Sequence, residues 1–149
     1  MGLEEYRAKR DFRKTVEPEG KEAPAGEHVF VVQEHKASHL HYDFRLALDG
    51  VLKSWAVPKG LPEEPNVRRL AVQTEDHPLD YAHFEGSIPK GEYGAGEVRI
   101  WDEGSFVLKE RGADKLVFVL LGRRLKGPYA LVRFKGKEQD SKNWLVMKL

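Results

Sequence analysis

The stretch from His39 to Leu48 alternates between polar and apolar side chains, and this pattern constrains the fold more than any other feature. Alternation with a period of two is typical of a β-strand whose two faces meet different environments. The polar face is unusual, because it carries imidazoles, a carboxylate and a guanidinium instead of lysine, glutamate and threonine. The apolar positions are Leu40, Tyr42, Phe44, Leu46 and Leu48, and the polar positions are His39, His41, Asp43 and Arg45, until Ala47 ends the series.

Asp49-Gly50 follows this strand and is a dipeptide that strongly predicts a two-residue type I′ hairpin turn. With the turn at that position, residues whose numbers sum to 99 face each other across the hairpin. Ser54 then lies opposite Arg45 on the polar face, and Ala56 lies opposite Asp43. These small side chains would leave open space above the polar face.

His41 and Asp43 lie two positions apart on one face of the predicted strand, roughly 6.5 Å along it. Side chains at this spacing can share one metal ion, and His35, at the end of the preceding predicted strand, would approach the same point. Two imidazoles and one carboxylate leave coordination positions open, as a catalytic ion requires. Arg45 could hold an anion beside the ion. The alternative is a buried network of hydrogen-bonded polar groups.

The composition favours one folded domain, since 40% of the 149 residues are hydrophobic and 33% are charged. Without cysteine, any metal ion must be held by nitrogen and oxygen ligands. No apolar run approaches the roughly 20 residues of a membrane span, and the N-terminus lacks the apolar core of a signal peptide. We therefore expect a soluble cytoplasmic protein. Two basic stretches, 7–14 and 109–126, fit solvated surfaces as well as nucleic-acid contacts.

The remaining chain shows many short strands separated by turn residues, which favours a β-barrel or a compact β-sandwich over βαβ units. Residues 3–9 are predicted to form a short helical turn. His77 precedes a proline at the end of a predicted strand. Three glycines within 91–96 favour a tight loop over a phosphate-binding loop, because no Gly-Lys-Ser/Thr follows them. The predicted strands include 28–33, 39–48, 69–75, 97–101, 105–109, 115–121, 129–134 and 144–147, with turns at Gly104, Gly112 and Gly127-Pro128.

Two enzymatic functions fit two imidazoles and one carboxylate. A non-haem iron oxygenase uses such a facial set of ligands and keeps room for dioxygen and a keto acid. A phosphoesterase needs cations for the phosphate oxygens and a proton donor for the leaving group. The surroundings favour the phosphoesterase, because His77 can act as acid or base near neutral pH. The predicted anion-binding set comprises Arg45, Ser54, Lys59 and Arg69.

A non-enzymatic hypothesis stays open beside these two. A barrel with basic loops could bind single strands by stacking their bases on exposed aromatic side chains. The candidate aromatic residues are Tyr81, Phe84 and Tyr93. This hypothesis does not require three metal-ligand types to share one groove, which counts against it.

The sequence around these residues closely resembles the 3′-phosphoesterase domain of bacterial and archaeal DNA ligase D. Two long runs carry the resemblance, QEHKASHLHYDFRLALDGVLKSWAVPKG from residue 33 and RLAVQTEDHPLDYAHFEGSIPKGEYGAG from residue 69, and it extends from residues 9–12 to 144–148. The resemblance implies a single-domain β-barrel with a polar active-site groove. It also implies a manganese-dependent nuclease and phosphatase that heals 3′ ends in non-homologous end joining, a form of DNA repair. Such enzymes remove a 3′-terminal ribonucleoside to leave a 3′-phosphate, which they then hydrolyse to a 3′-hydroxyl.

The resemblance also implies roles for particular residues of this chain. The implied metal ligands are His35, His41 and Asp43, and the residues implied at the scissile phosphate are Arg45, His77 and Tyr81. The other positions of the implied groove are Arg10, Asp11, Glu17, Gln33, Ser54, Lys59, Arg69, Glu75 and Asp76. Mn²⁺ is the implied cofactor, and Co²⁺ or Zn²⁺ could take its place.

The resemblance covers almost the whole chain, so we expect the domain to stand alone as one unit. We predict an N-terminal arm, residues 1–26, that packs on a barrel formed by residues 27–149. The implied substrates are the 3′ ends of DNA or RNA/DNA primer–templates. A DNA ligase acting in trans is an expected partner, and no membrane partner is expected.

Overall fold

β-strands dominate the computed structural model, which describes residues 3–18, 28–134 and 141–149. One α-helix, α1 (Glu4–Ala8), precedes the strands, and one 3₁₀ helix (Leu79–His83) interrupts them. Within these residues, neither helix has the length and apolar character needed to cross a membrane. The strands are β1 (Val29–Lys36), β2 (Leu40–Leu48), β3 (Val51–Val57), β4 (Arg68–His77), β5 (Gly86–Ile88), β6 (Gly96–Arg111), β7 (Lys115–Gly122), β8 (Lys126–Arg133) and β9 (Asn143–Lys148). The predicted mainly β class and the short N-terminal helix are confirmed.

The strands close into an antiparallel barrel, because β1 pairs with β2 on one side and with β6 on the other. The order around the barrel is β1-β2-β3-β4-β9-β8-β7-β6, so eight strands close it, and β5 pairs only with the start of β6. Closure of this kind removes the exposed strand edges of an open sheet. The predicted barrel is therefore confirmed over the sandwich alternative.

The β2–β3 hairpin has the register that its turn predicts. Arg45 pairs with Ser54, and Asp43 pairs with Ala56. Asp49 and Gly50 both have positive φ angles, 58° and 79°, as the two central residues of a type I′ turn require. This local turn thus determines which side chains of β2 and β3 share a face.

The outer face of β1 to β3 is covered by other parts of the chain. Phe44 points into the barrel interior, where it joins the larger apolar cluster. Val31 and Ala47 belong to a second cluster on the outside, which Tyr6 of α1 and Tyr81 of the 3₁₀ helix complete. Because Ala47 shares its face with the other odd-numbered residues of β2, the polar groups of this strand lie in the covered region.

β6 runs unbroken from Gly96 to Arg111, which shows that the prediction of two strands with a turn at Gly104 was wrong. Gly104 pairs with Gly122 of β7. A Cβ atom on Gly104 would lie 2.2 Å from the carbonyl oxygen of Leu121. Glycine is therefore required here because two strands approach closely, and local sequence does not distinguish this requirement from a turn.

The turn between β7 and β8 lies at residues 123–125, which corrects the predicted turn at Gly127-Pro128, since both of those residues belong to β8. The carboxylate of Asp102 accepts hydrogen bonds from the backbone N–H groups of residues 123–125 at 2.8 to 3.2 Å. Asp102 is buried in β6. A side chain distant in sequence therefore organises this turn.

The N-terminal segment contacts the barrel through α1. The side chain of Tyr6 is fully buried, and its hydroxyl donates a hydrogen bond to the carbonyl oxygen of Pro18. Residues 1–2 and 19–26 of the predicted arm lie outside the described residues. The division of the chain into an arm and a barrel stays a prediction.

Candidate active site

The three predicted metal ligands meet because of the way β1 pairs with β2. His35 lies directly opposite His41 in the ladder, and Asp43 follows His41 two positions later on the same face. Cross-strand neighbours on one face have Cβ atoms about 4.5 to 5.5 Å apart, so the three side chains can reach one point. Ala56 lies opposite Asp43 on β3 and leaves space beside it.

One donor atom from each of His35, His41 and Asp43 lies within 4.8 Å of the other two. Nδ1 of His35 is 3.3 Å from Oδ2 of Asp43, and Nε2 of His41 is 3.2 Å from Oδ1. The remaining imidazole nitrogens face the backbone. Nε2 of His35 is 2.7 Å from the carbonyl oxygen of Gly94, and Nδ1 of His41 is 3.3 Å from that of His39. Backbone acceptors of this kind orient metal-binding imidazoles, so the donor set fits a divalent cation.

Asp43 is a buried carboxylate that stays charged. Burial alone would raise its pKa, but hydrogen bonds with His35 and His41 and the charge of Arg45 hold the pKa well below its usual range. The hydrogen bond with Asp43 raises the pKa of His41 above its ordinary value. The negative charge of Asp43 therefore makes this point of the site attractive to a cation.

Arg45 is held in a fixed position beside the three candidate ligands. Its Nε donates a hydrogen bond to Oε1 of Gln33 at 2.7 Å, and its Nη2 lies 3.6 Å from Oδ2 of Asp43. The amide of Gln33 in turn donates to the carbonyl oxygens of Tyr81 and Phe84 at 2.8 and 3.0 Å. Gln33 therefore connects Arg45 to the 3₁₀ helix and orients the guanidinium before any substrate binds.

A second guanidinium, that of Arg10, enters the site from the N-terminal segment. Its Nε donates to Oε2 of Glu17 at 2.9 Å, and its Nη1 donates to Oε2 of Glu75 at 3.2 Å. Its Nη2 lies 3.4 Å from Nε2 of His77. The ring of Tyr6 lies 4.0 Å from the guanidinium carbon. Arg10 thus joins the N-terminal segment to the end of β4.

His77 and Glu75 both reach the pocket because β4 contains an irregularity. Leu52 of β3 pairs with His77, whereas Ser54 pairs with Thr74, so three steps along β4 match two steps along β3. A bulge of this kind places an extra residue in one strand and redirects its side chains. Strict alternation would have placed Thr74 and Glu75 on opposite faces, but both line the same pocket.

His77 lies between the two guanidiniums and is neutral at neutral pH. Burial, together with the positive charges of Arg45 and Arg10, lowers its pKa well below the ordinary value of 6.5. Nδ1 lies 2.9 Å from the carbonyl oxygen of Glu75 and 3.1 Å from Nη1 of Arg45. Because a carbonyl only accepts, the shorter contact assigns the proton to Nδ1. Nε2 then carries the lone pair, and the contact with Arg45 is electrostatic rather than a hydrogen bond.

Tyr81 contributes its ring to the site more than its hydroxyl group. The hydroxyl donates a hydrogen bond to Oε2 of Glu17 at 2.6 Å, and burial raises the pKa of Tyr81 well above its ordinary value. The ring centre lies 4.7 Å from the centre of the His77 imidazole and 4.9 Å from the guanidinium carbon of Arg45. Tyr81 therefore restricts the positions of both side chains.

The three candidate metal ligands, both guanidiniums, His77 and Tyr81 line one pocket of about 340 Å³. Gln33 and Ser54 are buried behind it, and the hydroxyl of Ser54 lies 3.4 Å from Nδ1 of His77. The pocket therefore combines three possible metal ligands with two guanidiniums and a neutral imidazole. The predicted residues that line it are Arg10, Glu17, His35, His41, Asp43, Arg45, Glu75, His77 and Tyr81.

Other predicted groove residues do not line this pocket: Asp11, Lys59, Arg69 and Asp76. The guanidinium of Arg69 donates to the carbonyl oxygen of Lys59 at 2.7 Å. The carboxylate of Asp76 accepts a hydrogen bond from Lys53 at 3.1 Å, and that of Asp11 pairs with a neighbouring arginine. These contacts support the local structure around the site.

Sequence reasoning missed several residues of the site. Thr74 lines the pocket because of the bulge, and Gly94 does so through a backbone carbonyl, which has no side-chain signature. The ring of Tyr6 lies 5.0 Å from that of His77 in an edge-on contact. Tyr93, predicted only as a stacking residue, lies half-exposed at the pocket. A hydrophobic residue in a short helix, such as Tyr6, looks like an ordinary core position in the sequence.

Comparison with known proteins identifies the family to which this sequence is similar. The sequence model of the DNA ligase D 3′-phosphoesterase domain matches residues 33–133. A multifunctional non-homologous end joining protein LigD from Pseudomonas aeruginosa is 52% identical over 156 residues, which cover 98% of this chain and 18% of that protein. The corresponding DNA repair protein from Mycobacterium tuberculosis is 48% identical over 153 residues, covering 99% of this chain and 20% of that protein.

A third relative also matches almost the whole chain. The LigD protein of Mycolicibacterium smegmatis is 47% identical over 160 residues, which cover 99% of this chain and 20% of that protein. The chain therefore spans about a fifth of the length of the curated relatives that it matches. The matched region includes the candidate metal ligands, both guanidiniums and His77. By sequence, the chain belongs to the DNA ligase D 3′-phosphoesterase domain family.

Proposed function

We propose that this chain is a metal-dependent phosphoesterase that acts on the 3′ ends of nucleic acids. One observation carries the proposal: the donor atoms of His35, His41 and Asp43 lie within 4.8 Å of one another in the pocket that also holds Arg45 and His77. Burial of Asp43 accounts for its contacts with the two imidazoles, and the two guanidiniums in the same pocket add a place for a phosphate, which favours a catalytic ion over a purely structural network. The family membership supports the same activity.

The proposed metal ion would be held by His35, His41 and Asp43. When bound, it would supply Lewis-acid stabilisation for a phosphate oxygen and lower the pKa of a coordinated water. Mn²⁺ is the ion that the resemblance implies. A ligand set of nitrogen and oxygen atoms also accepts Zn²⁺, Co²⁺ or Fe²⁺, so the metal is part of the proposal and of its test.

The two guanidiniums are the proposed phosphate-binding groups. Arg45 is oriented by Gln33, and Arg10 is oriented by Glu17 and Glu75, so both are positioned before the substrate arrives. Donors that need no reorganisation stabilise the charge that develops on phosphate oxygens in the transition state. Both guanidiniums lie next to His77, so a scissile phosphate bound between them would adjoin that imidazole.

His77 is the proposed proton carrier. Its Nε2 has a lone pair, so it can take a proton from the attacking water as the new bond to phosphorus forms. As the bond from phosphorus to the 3′ oxygen breaks, the same proton can pass to that oxygen. The products are then a 3′-hydroxyl and inorganic phosphate. A bound phosphate would offset the charges of Arg45 and Arg10, which favours protonation of His77 during the reaction.

The substrate class and the biological context belong to the same proposal. We infer that the chain removes a 3′-terminal ribonucleoside and hydrolyses the resulting 3′-phosphate, with DNA or RNA/DNA primer–templates as substrates. Its relatives are named as non-homologous end joining proteins, so a role in end repair, with a ligase acting in trans, follows as an expectation. A cytoplasmic location stays a prediction.

The experiment incubates the protein with a primer–template that ends in a 3′-phosphate, with Mn²⁺, Co²⁺, Zn²⁺ or Mg²⁺ and with EDTA. We expect phosphate release that requires a divalent metal and stops on chelation. Binding that survives EDTA, without hydrolysis under any metal, would favour the stacking barrel instead. Consumption of 2-oxoglutarate with Fe²⁺ would favour the oxygenase. A primer ending in a 3′-hydroxyl serves as the control for background phosphate.

A further inference from the structure

A second depression adjoins the catalytic pocket, and its lining is basic. It is formed by residues 36–38, Ile88, Lys90 and residues 94–96, and its volume of about 650 Å³ exceeds that of the pocket. It shares Ala37, Ile88 and Gly94 with the catalytic pocket. The two depressions are therefore continuous, and we call the second one the lysine groove.

The lysine groove contains two lysines, one of which, Lys36, has Glu97 as its cross-strand neighbour; that carboxylate is paired with Arg99. Lys36 ends β1 and Lys90 lies in the loop after β5, and both are exposed. Within the described part of the chain, neither ammonium group makes a hydrogen bond or an ion pair. No carboxylate lines the groove, whose other side chains are small or apolar. Exposed lysines can neutralise phosphates of a nucleic-acid backbone, and the small neighbouring side chains leave room for that backbone to approach.

Glycines form the floor between the two depressions. The backbone at Gly96 approaches β1 so closely that a Cβ atom there would lie 2.2 Å from the carbonyl oxygen of Lys36. Gly94 has a φ of +76°, and a Cβ atom there would lie 3.7 Å from the ring of His35. A larger side chain at Gly94 would thus stand between the candidate metal site and the lysine groove. The floor leaves the path between them open.

A third depression adjoins the catalytic pocket at Thr74 and Glu75. This depression is also lined by Glu4, Glu5 and Asp76, with Lys142 as its one cation among the described residues. Glu5 and Glu75 pair with Lys9, and Asp76 pairs with Lys53, so most of these carboxylates are neutralised. The lysine groove has no carboxylate in its lining and is therefore more attractive to a polyanionic strand. This difference in lining favours one direction for the strand away from the site.

We propose that the lysine groove binds the phosphodiester backbone of the strand whose 3′ end occupies the catalytic pocket, with Lys36 and Lys90 contacting its phosphates. The proposal rests on the proposed function, because a strand ending at the pocket continues only in its 5′ direction. It adds a phosphate-binding surface separate from Lys59 and Arg69 of the predicted anion-binding set. Neither of those residues lines the pocket, and the Arg69 guanidinium is bonded to a backbone carbonyl.

The test measures binding of a primer–template that ends in a 3′-hydroxyl, which carries no 3′-phosphate to be removed. Fluorescence anisotropy at several salt concentrations gives the slope of log Kd against log salt. Each lost phosphate contact reduces this slope by about 1. The variant Lys36→Ala/Lys90→Ala should therefore lower the slope by about 2 and weaken binding about tenfold or more near 0.1 M salt. The matched control, Lys109→Ala/Lys126→Ala, removes the same charge from other exposed positions and should leave both quantities unchanged.

The outcomes separate this inference from the proposed function. The proposal for the lysine groove would be wrong if Lys36→Ala/Lys90→Ala left the salt slope unchanged. It would also be wrong if the control variant, instead of this one, lowered the slope and the affinity. If the wild type releases no phosphate from any 3′-phosphate substrate but its binding still depends on Lys36 and Lys90, the groove stands and the catalytic proposal fails. With both correct, the variant has a raised KM for 3′-phosphorylated primer–template and a nearly unchanged kcat.

Discussion

At the scale of single residues, Asp43 is the centre of the proposed metal site. Its two oxygens face His35 and His41 at 3.3 and 3.2 Å, and Arg45 lies beside it. A carboxylate that is buried and charged requires such partners, since an isolated buried charge is very costly. Without an ion, the contacts with His35 and His41 and the charge of Arg45 balance this carboxylate, and a divalent cation would take over that role. Because an imidazole must be deprotonated to bind a metal, metal binding should release protons and weaken as the pH falls.

Replacement of one candidate ligand tests this arrangement. His41→Ala should reduce metal-dependent phosphate release about a hundredfold or more, because the ion supplies several kcal/mol of transition-state stabilisation. The side chain of His41 is partly exposed, so the fold should survive, as circular dichroism and the urea midpoint would show. His83→Ala removes an exposed imidazole away from the pocket and should retain activity. Near-normal activity of His41→Ala would show that the ligand assignment is wrong.

Arg45→Lys tests the need for a planar guanidinium. A lysine keeps the positive charge but cannot contact Gln33, His77 and a phosphate at once, because it lacks the fixed fork of donors. We expect kcat/KM to fall by about 10²-fold, the typical effect of losing one oriented donor to a transition-state anion. Arg68→Lys, an exposed position on β4, is the matched control. A variant with wild-type kinetics would mean that Arg45 acts only as a charge.

At the scale of elements, two strand pairings create the site. The β1–β2 ladder places His35 opposite His41, and the irregular β3–β4 ladder turns both Glu75 and His77 toward the pocket. Barrel closure requires the tight contact between β6 and β7, where Gly104 faces Gly122. Site geometry therefore depends on strand packing at positions that never contact the substrate.

Gly104→Ala should destabilise the barrel by roughly 1 to 3 kcal/mol, the usual range for overpacking. The new methyl group would lie 2.2 Å from the carbonyl oxygen of Leu121, so one of the two strands must move. The shift in the urea midpoint measures the loss. Gly112→Ala is the matched control, because a Cβ atom there would lie 3.9 Å from the nearest backbone oxygen. Equal midpoints for the two variants would contradict the close approach of β6 and β7.

At the scale of the whole molecule, the N-terminal segment and the barrel form the pocket together. Arg10 and Glu17 come from residues 3–18, whereas Glu75 and His77 come from the end of β4. The pocket holds His77 neutral between two positive charges. This arrangement links the stability of the folded chain to pH.

His77 should make the protein less stable as the pH falls below 6.5. Its pKa is lowered in the folded state, so below that pH the unfolded chain binds a proton that the folded chain does not. The free energy of unfolding then decreases by at most about 1.4 kcal/mol per pH unit, until the folded pKa is reached. His77→Gln removes this contribution, so its loss of stability between pH 6 and 5 should be smaller by roughly 1 kcal/mol. Denaturant unfolding of both proteins at both pH values measures the difference. If the wild type and His77→Gln lost equal amounts of stability, His77 would be protonated in the folded chain as well.

Part of the fold and of the site follows from local sequence. The alternation from His39 to Leu48 and the turn at Asp49-Gly50 predict the β2–β3 register and the shared face of His41, Asp43 and Arg45. These features depend on periods of two residues and on a turn of two residues. Backbone stereochemistry sets these short-range rules, so the order of residues along the chain is enough to predict them.

Other parts required the tertiary structure. The glycine at Gly104 belongs to a close strand contact, Asp102 organises a turn about 20 residues away, and Arg10 meets Glu75 across 65 positions. The sequence determined which chemical groups lie on the face of one strand. Only barrel closure and the β4 bulge decided which distant residues surround that face. Contacts between residues far apart in the chain depend on packing, and no spacing pattern in the sequence predicts that packing.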